Sequence, residues 1–115
     1  MMLERMRAKY GKYKEFDKAW EAVRKGAVKL HRFLPSGREI WTVVGMEEHL
    51  VDDEEGYCSC RHYYFSAMRK GGVCYHILAV RMAKELGLYE LIEMDDEEYP
   101  TFLALLLEDL SEAHE

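Results

Sequence analysis

Cys58-Ser59-Cys60, followed after thirteen residues by Cys74-Tyr75-His76, is the stretch that decides how this chain folds. It contains all three cysteines of the 115-residue sequence. Three thiolates and one imidazole form a donor set that suits a closed, tetrahedral zinc site. We therefore predict that Cys58, Cys60, Cys74 and His76 bind one structural Zn²⁺.

The spacing of each ligand pair suggests where it lies in the fold. Cys-x-Cys allows two sulfurs of one tight turn or strand end to reach a common ion. Cys-x-His does so if Cys74 begins a helix, where the helix dipole and the unpaired backbone N–H groups favour the thiolate. The metal would then join a strand to a helix, and we expect the metal-free protein to lose at least the structure of residues 56–86.

Other interpretations of these residues remain open. The cysteines could be unrelated core residues, two of them could form a disulfide, or one could be a catalytic thiol with His76 or His62 as its base. An odd cysteine count argues against a secreted disulfide scaffold. Four protein ligands leave no position for a catalytic water, so we predict no enzymatic activity. Spacing alone does not distinguish zinc from another thiophilic metal such as iron.

Outside this stretch, periodicity predicts a single α+β domain with a small antiparallel sheet. Apolar residues at steps of three and four predict one amphipathic helix over residues 3–25. Residues enriched in Val, Ile, Trp and Thr predict strands over 28–33, 38–45 and 48–51. A helix over 74–86 should end at Gly87, and another should open at Pro100. We thus assign 1–27 to an N-terminal helix, 28–87 to the strands and zinc finger, and 88–115 to an acidic segment and C-terminal helix.

Charge is distributed unevenly along the chain. Residues 1–45 carry 11 basic and 5 acidic side chains, whereas residues 46–115 carry 5 and 17. All five basic residues of the second part lie between Gly56 and Lys84, where no acidic residue occurs. Interleaved tyrosines and Phe65 suggest contact with single-stranded nucleic acid, although these aromatics could equally be core residues. The predicted nucleic-acid-binding residues are Arg61, Arg69, Lys70 and Arg81.

The C-terminal helix is unusually apolar, because residues 102–107 contain no polar side chain. Such a helix is either buried in its own domain or covered by another chain. The predicted interface residues are Phe102, Leu103, Leu106, Leu107 and Leu110. A homodimer through the same helix is an alternative. The sequence has neither a transmembrane stretch nor the core of a signal peptide, so we expect a cytoplasmic protein, or a nuclear one in a eukaryote.

The ligand pattern resembles the SWIM zinc finger, in which a ββα unit carries one ligand pair at a strand end and the other at a helix start. Over roughly residues 56–110 the chain is also similar to the SWIM-domain subunit of the Shu complex. The similar features are Cys58-Ser59-Cys60, residues 65–70, Cys74-x-His76-x-x-Ala79, and Asp95-Asp96-Glu97-Glu98 before a leucine-rich helix.

This resemblance implies a function in homologous recombination and DNA repair. The chain would be a compact stand-alone version of the family, of the kind predicted in archaea. It would act as an accessory protein that binds a paralogue of the RadA/Rad51 recombinases, with single-stranded DNA as a second ligand. The alternative is a stand-alone nucleic-acid-binding zinc module with a regulatory role.

Overall fold

The computed structural model describes residues 2–45, 47–59 and 74–113, with side chains described up to residue 106. The predicted α+β class is confirmed. Five strands and four helices lie within these ranges. In chain order they are α1 (Met2–Tyr10), α2 (Phe16–Arg24), β1 (Val28–Leu34), β2 (Arg38–Val44), β3 (Glu48–Asp52), β4 (Tyr57–Cys58), α3 (Tyr75–Leu86), β5 (Glu90–Asp95) and α4 (Tyr99–Ala113).

The sheet has the strand order β4-β3-β2-β1-β5. Strands β1 to β4 form an antiparallel meander, in which β1, β2 and β3 are the three expected strands and β4 is an additional short one. Strand β5 pairs with β1 in parallel, and it lies in the part of the chain that was expected to be an acidic segment. Helix α3 precedes β5 and supplies the long crossover connection that a parallel pair requires. The sheet is therefore mixed rather than wholly antiparallel.

The prediction of one helix over residues 3–25 is wrong. The chain forms two helices separated by a turn at residues 11–15. Glycine weakens a helix because it loses more backbone entropy than other residues do, and Gly11 stands at the break. The turn allows Met6 of α1 and Phe16 of α2, which are 0% and 3% exposed, to enter the same core.

One face of the sheet carries the main core. Val28, Val43 and Val51 point to this face, because residues that pair across neighbouring strands share a face and alternate residues share it too. Helices α2 and α3 pack against each other and against these valines. Alanines such as Ala19 and Ala79, both fully buried, allow the two helices to approach closely. This packing places the N-terminal end of α3 beside β4.

Helix α4 covers part of the opposite face. The Phe102 ring lies 5.5 Å from that of Phe33 and 4.5 Å from that of His31, measured between centroids. Tyr99 meets Phe33 edge to face at 5.2 Å. Phe33 is fully buried under these rings. The C-terminal helix is therefore part of the fold, whatever else it contacts.

Candidate metal centre

Three of the four predicted zinc ligands converge at the junction of β4 and α3. Cys58 lies in β4, where it pairs with Val51 of β3. Cys74 is the N-cap residue of α3, with extended backbone angles, and His76 lies in the first turn of that helix. The ligand atoms of these three residues all lie within 4.8 Å of one another. Cys60, the fourth predicted ligand, lies outside the described residues.

The distances within this cluster fit a tetrahedral metal site. His76 Nδ1 lies 3.6 Å from Cys58 Sγ and 3.3 Å from Cys74 Sγ. Zinc bonds of about 2.3 Å to sulfur and 2.0–2.1 Å to nitrogen place two tetrahedral ligands about 3.6 Å apart. The Nδ1 atom therefore faces both sulfurs at nearly the separation that a shared ion requires.

The cluster is closed to solvent, since Cys58, Cys74 and His76 are only 2%, 3% and 3% exposed. No disulfide joins Cys58 to Cys74. Structural zinc sites are typically closed in this way, whereas a catalytic cysteine needs access to its substrate. Burial, soft donors and their spacing thus all suit a structural metal.

Two aromatic rings lie against the imidazole of His76. The Tyr75 ring lies 4.0 Å away and the His49 ring 4.7 Å away, both tilted relative to it. The sequence interpretation did not assign His49 to the site. Its place near the metal centre could have been predicted from strand alternation. His49 lies two residues before Val51, so the two share a sheet face, and Val51 pairs with Cys58.

The predicted nucleic-acid residues are only partly within the described ranges. Arg61, Arg69 and Lys70 lie outside them. The guanidinium of Arg81 donates a hydrogen bond to the backbone carbonyl of Asp53, at 3.0 Å, and the residue is half-buried. Nucleic-acid binding by these residues stays a prediction.

The predicted interface residues of α4 have different environments. Leu106 is 8% exposed, so the alternative of burial within the domain applies to it, whereas Phe102 contacts the sheet but is only half-buried. Leu103 is half-buried, while Leu107 and Leu110 fall where side chains are not described. Leu105, which was not among the predicted residues, is 56% exposed. In the described ranges, no helix is both long and apolar enough to cross a bilayer.

Comparison with known proteins agrees with this geometry. Residues 41–83, which include the cluster, match the family model of the SWIM zinc finger. An uncharacterized protein of the archaeon Archaeoglobus fulgidus is 34% identical over 90 residues, which cover 78% of this chain and 72% of that protein. No solved structure matches the chain. The chain thus contains a SWIM zinc finger and belongs to the same family as this archaeal protein.

Proposed function

We propose that the protein is a non-enzymatic accessory factor of homologous recombination, in which one structural zinc organises a SWIM module that binds a paralogue of the RadA/Rad51 recombinases. The observation that carries the metal-binding part of the proposal is the buried convergence of Cys58, Cys74 and His76, with their ligand atoms within 4.8 Å.

The structural role of zinc follows from what the ligands join. Cys58 belongs to a hairpin at the edge of the sheet, whereas Cys74 and His76 belong to the start of α3. When bound, zinc supplies a cross-link between these two elements. The same arrangement supports a non-enzymatic role, because Cys60 would complete four ligands and the buried sulfurs leave no room for a substrate.

The recombination role is supported by the resemblance to the SWIM-domain subunit of the Shu complex. The acidic stretch of that resemblance ends β5 and forms a 3₁₀ turn over Asp96–Glu98, directly before α4. Leu106 of helix α4 is buried and Phe102 is half-buried, whereas Leu105 is exposed. Residues 102–107 are all apolar, so the exposed Leu105 belongs to a helix whose apolar residues extend beyond the face packed on the sheet, and we place the partner there. The nucleic-acid-binding alternative gains no support from Arg81, which is hydrogen-bonded within the chain.

Elemental analysis of the purified protein tests the zinc proposal. We expect one zinc per chain, and its loss in Cys74→Ser and His76→Gln. His49→Gln is the matched control, because the His49 ring lies beside His76 but is not part of the cluster of ligand atoms that the described residues form. This control should retain its zinc. A wild-type protein without metal, or a His76→Gln variant with full occupancy, would contradict the assignment.

Co-purification tests the partner. The tagged chain should recover a RadA/Rad51 paralogue when the two are produced together, and Leu105→Glu should weaken recovery. Leu88→Glu changes an exposed leucine between α3 and β5 and serves as the control. Recovery of no recombinase-family ATPase at low and physiological salt would refute this part of the proposal. Salt-dependent binding of single-stranded DNA by the isolated chain would instead favour the alternative.

A further inference from the structure

We infer that Asp53, Arg81 and Lys84 form a clamp that positions Cys58 against Cys74 and His76. The inference rests on the proposed metal site and adds residues that act on it from a distance. Asp53 lies in the turn between β3 and β4, while Arg81 and Lys84 lie on α3. The clamp therefore joins the same two elements that the metal ligands join.

The contacts of the clamp are well defined. Lys84 Nζ lies 2.9 and 3.1 Å from the two carboxylate oxygens of Asp53. Arg81 donates to the Asp53 carbonyl at 3.0 Å. The Asp53 side chain is only 11% exposed and that of Lys84 33%, so water screens this pair less than it screens a surface ion pair. Lys84 Nζ also lies 5.1 Å from the centre of the Trp41 ring, which further restricts its position.

The hairpin that carries Cys58 needs such an attachment. Strand β4 has two residues, which pair with Val51 and Asp52 of β3 at one edge of the sheet. Ser59 adds a backbone bond to the Leu50 carbonyl and accepts one from the Leu50 N–H. A short edge hairpin of this kind is marginally stable when held by its own ladder alone.

The clamp and the metal ligands lie at different points along α3. Arg81 and Lys84 follow His76 by five and eight residues, which corresponds to about 7 and 12 Å along a helix axis. An attachment at both points prevents the hairpin from pivoting about either one. The Cys58 sulfur is then held near its binding position before metal arrives, and the entropy lost on binding is smaller.

Zinc affinity, measured by competition with a chelating dye, tests the clamp. Asp53→Asn removes the charge that Lys84 binds, and we expect about a fivefold loss of affinity. Partners that hydrogen-bond directly to metal ligands typically contribute about 10- to 100-fold, and a clamp that acts through a hairpin should contribute less. Lys84→Arg preserves the ion pair and should retain near wild-type affinity. Glu54→Gln, an equal charge change in the same turn, should also leave the affinity unchanged.

A second comparison separates positioning from general loss of stability. Phe102→Leu weakens packing on the opposite face of the sheet, so it should lower the melting temperature without a comparable loss of zinc affinity. If Asp53→Asn binds zinc as tightly as the wild type, or loses no more affinity than a Phe102→Leu protein of equal melting temperature, the clamp does not position the site. If the wild type binds no zinc at all, the proposed metal site itself fails.

Discussion

Replacing Thr42 with valine should destabilise the protein, because its hydroxyl is the centre of a buried polar network. Thr42 is fully buried, and its Oγ1 donates to Glu48 Oε2 at 2.6 Å. His31 Nε2 lies 3.0 Å from Thr42 Oγ1 and 3.2 Å from the same Glu48 oxygen. Since the single hydroxyl hydrogen points to Glu48, Nε2 of His31 must carry a hydrogen and act as donor.

The expected loss for Thr42→Val is about 2 kcal/mol. Valine has nearly the shape of threonine, so the change creates no cavity and removes only the hydroxyl. A hydrogen bond to a charged acceptor contributes about 1.5–3 kcal/mol, and His31 still reaches Glu48 in the variant. With an unfolding entropy of about 2.1 cal/mol/K per residue, a chain of this length should melt about 4 °C lower per kcal/mol, and therefore about 8 °C lower here.

Thermal unfolding of the zinc-loaded protein at pH 7, followed by circular dichroism, measures this loss. Thr101→Val, on an exposed position of α4, is the matched control and should melt within about 1 °C of the wild type. A Thr42→Val protein that melts as the wild type does would refute the reasoning. It would mean that the buried hydroxyl contributes no more than the apolar contacts of the methyl group that replaces it.

Three further predictions concern pH, a helix end and the metal. The hydrogen bond from His31, and after it that from Thr42, holds the pKa of Glu48 below its usual value near 4.5. The ionised Glu48 therefore stabilises the fold fully above about pH 4.5, and this stabilisation is lost as the pH falls through the lower pKa of the folded state. Glu48→Gln should reduce the acid-induced loss of stability, measured by urea unfolding from pH 7 to 3, and an unchanged acid loss would contradict this. Gly87→Ala should lower the free energy of unfolding by about 1 kcal/mol in the same assay. Gly87 ends α3 at a φ of 68°, a left-handed conformation that strains a residue with a Cβ even though no neighbouring atom lies near. Gly45→Ala, where φ is not positive, should be nearly neutral. Removing zinc with a strong chelator should lower the melting temperature by at least about 10 °C. Zinc-finger peptides bind zinc with apparent free energies of about 10–16 kcal/mol, and a net contribution of only about 2.5 kcal/mol corresponds to about 10 °C at about 4 °C per kcal/mol. An unchanged melt would exclude a structural metal.

Much of the local structure follows from short-range sequence signals. Leu34-Pro35-Ser36-Gly37 predicts the turn between β1 and β2, and Gly87 predicts the end of α3, because these depend on backbone preferences of a few neighbouring residues. The ligand cluster is equally readable, since Cys-x-Cys and Cys-x-His limit which side chains one ion can reach. The structure brings Cys58, Cys74 and His76 together, and their role as metal ligands stays a prediction.

The pairing of β5 depended on the tertiary structure. Residues 90–95 alternate imperfectly and carry Glu90, Glu93 and Asp95, so the segment reads as acidic and exposed. It becomes a strand because α3 returns the chain beside β1, where Lys29 binds Glu90 at 2.7 Å. Such a contact joins residues far apart in sequence, and no local preference encodes it.

Residue types and spacing by themselves predicted the α+β class, the SWIM zinc-finger pattern and the candidate metal ligands. Only the tertiary structure decided which charged and aromatic residues serve the fold. From the sequence, Arg81 was a candidate for phosphate contact and Phe102 for a partner interface. In the structure, Arg81 donates to the Asp53 carbonyl, and the half-buried Phe102 packs its ring against Phe33 and His31. The physical reason is that composition and periodicity show which interactions a side chain is able to form. Its neighbours in the folded structure determine whether those interactions are already formed within the chain.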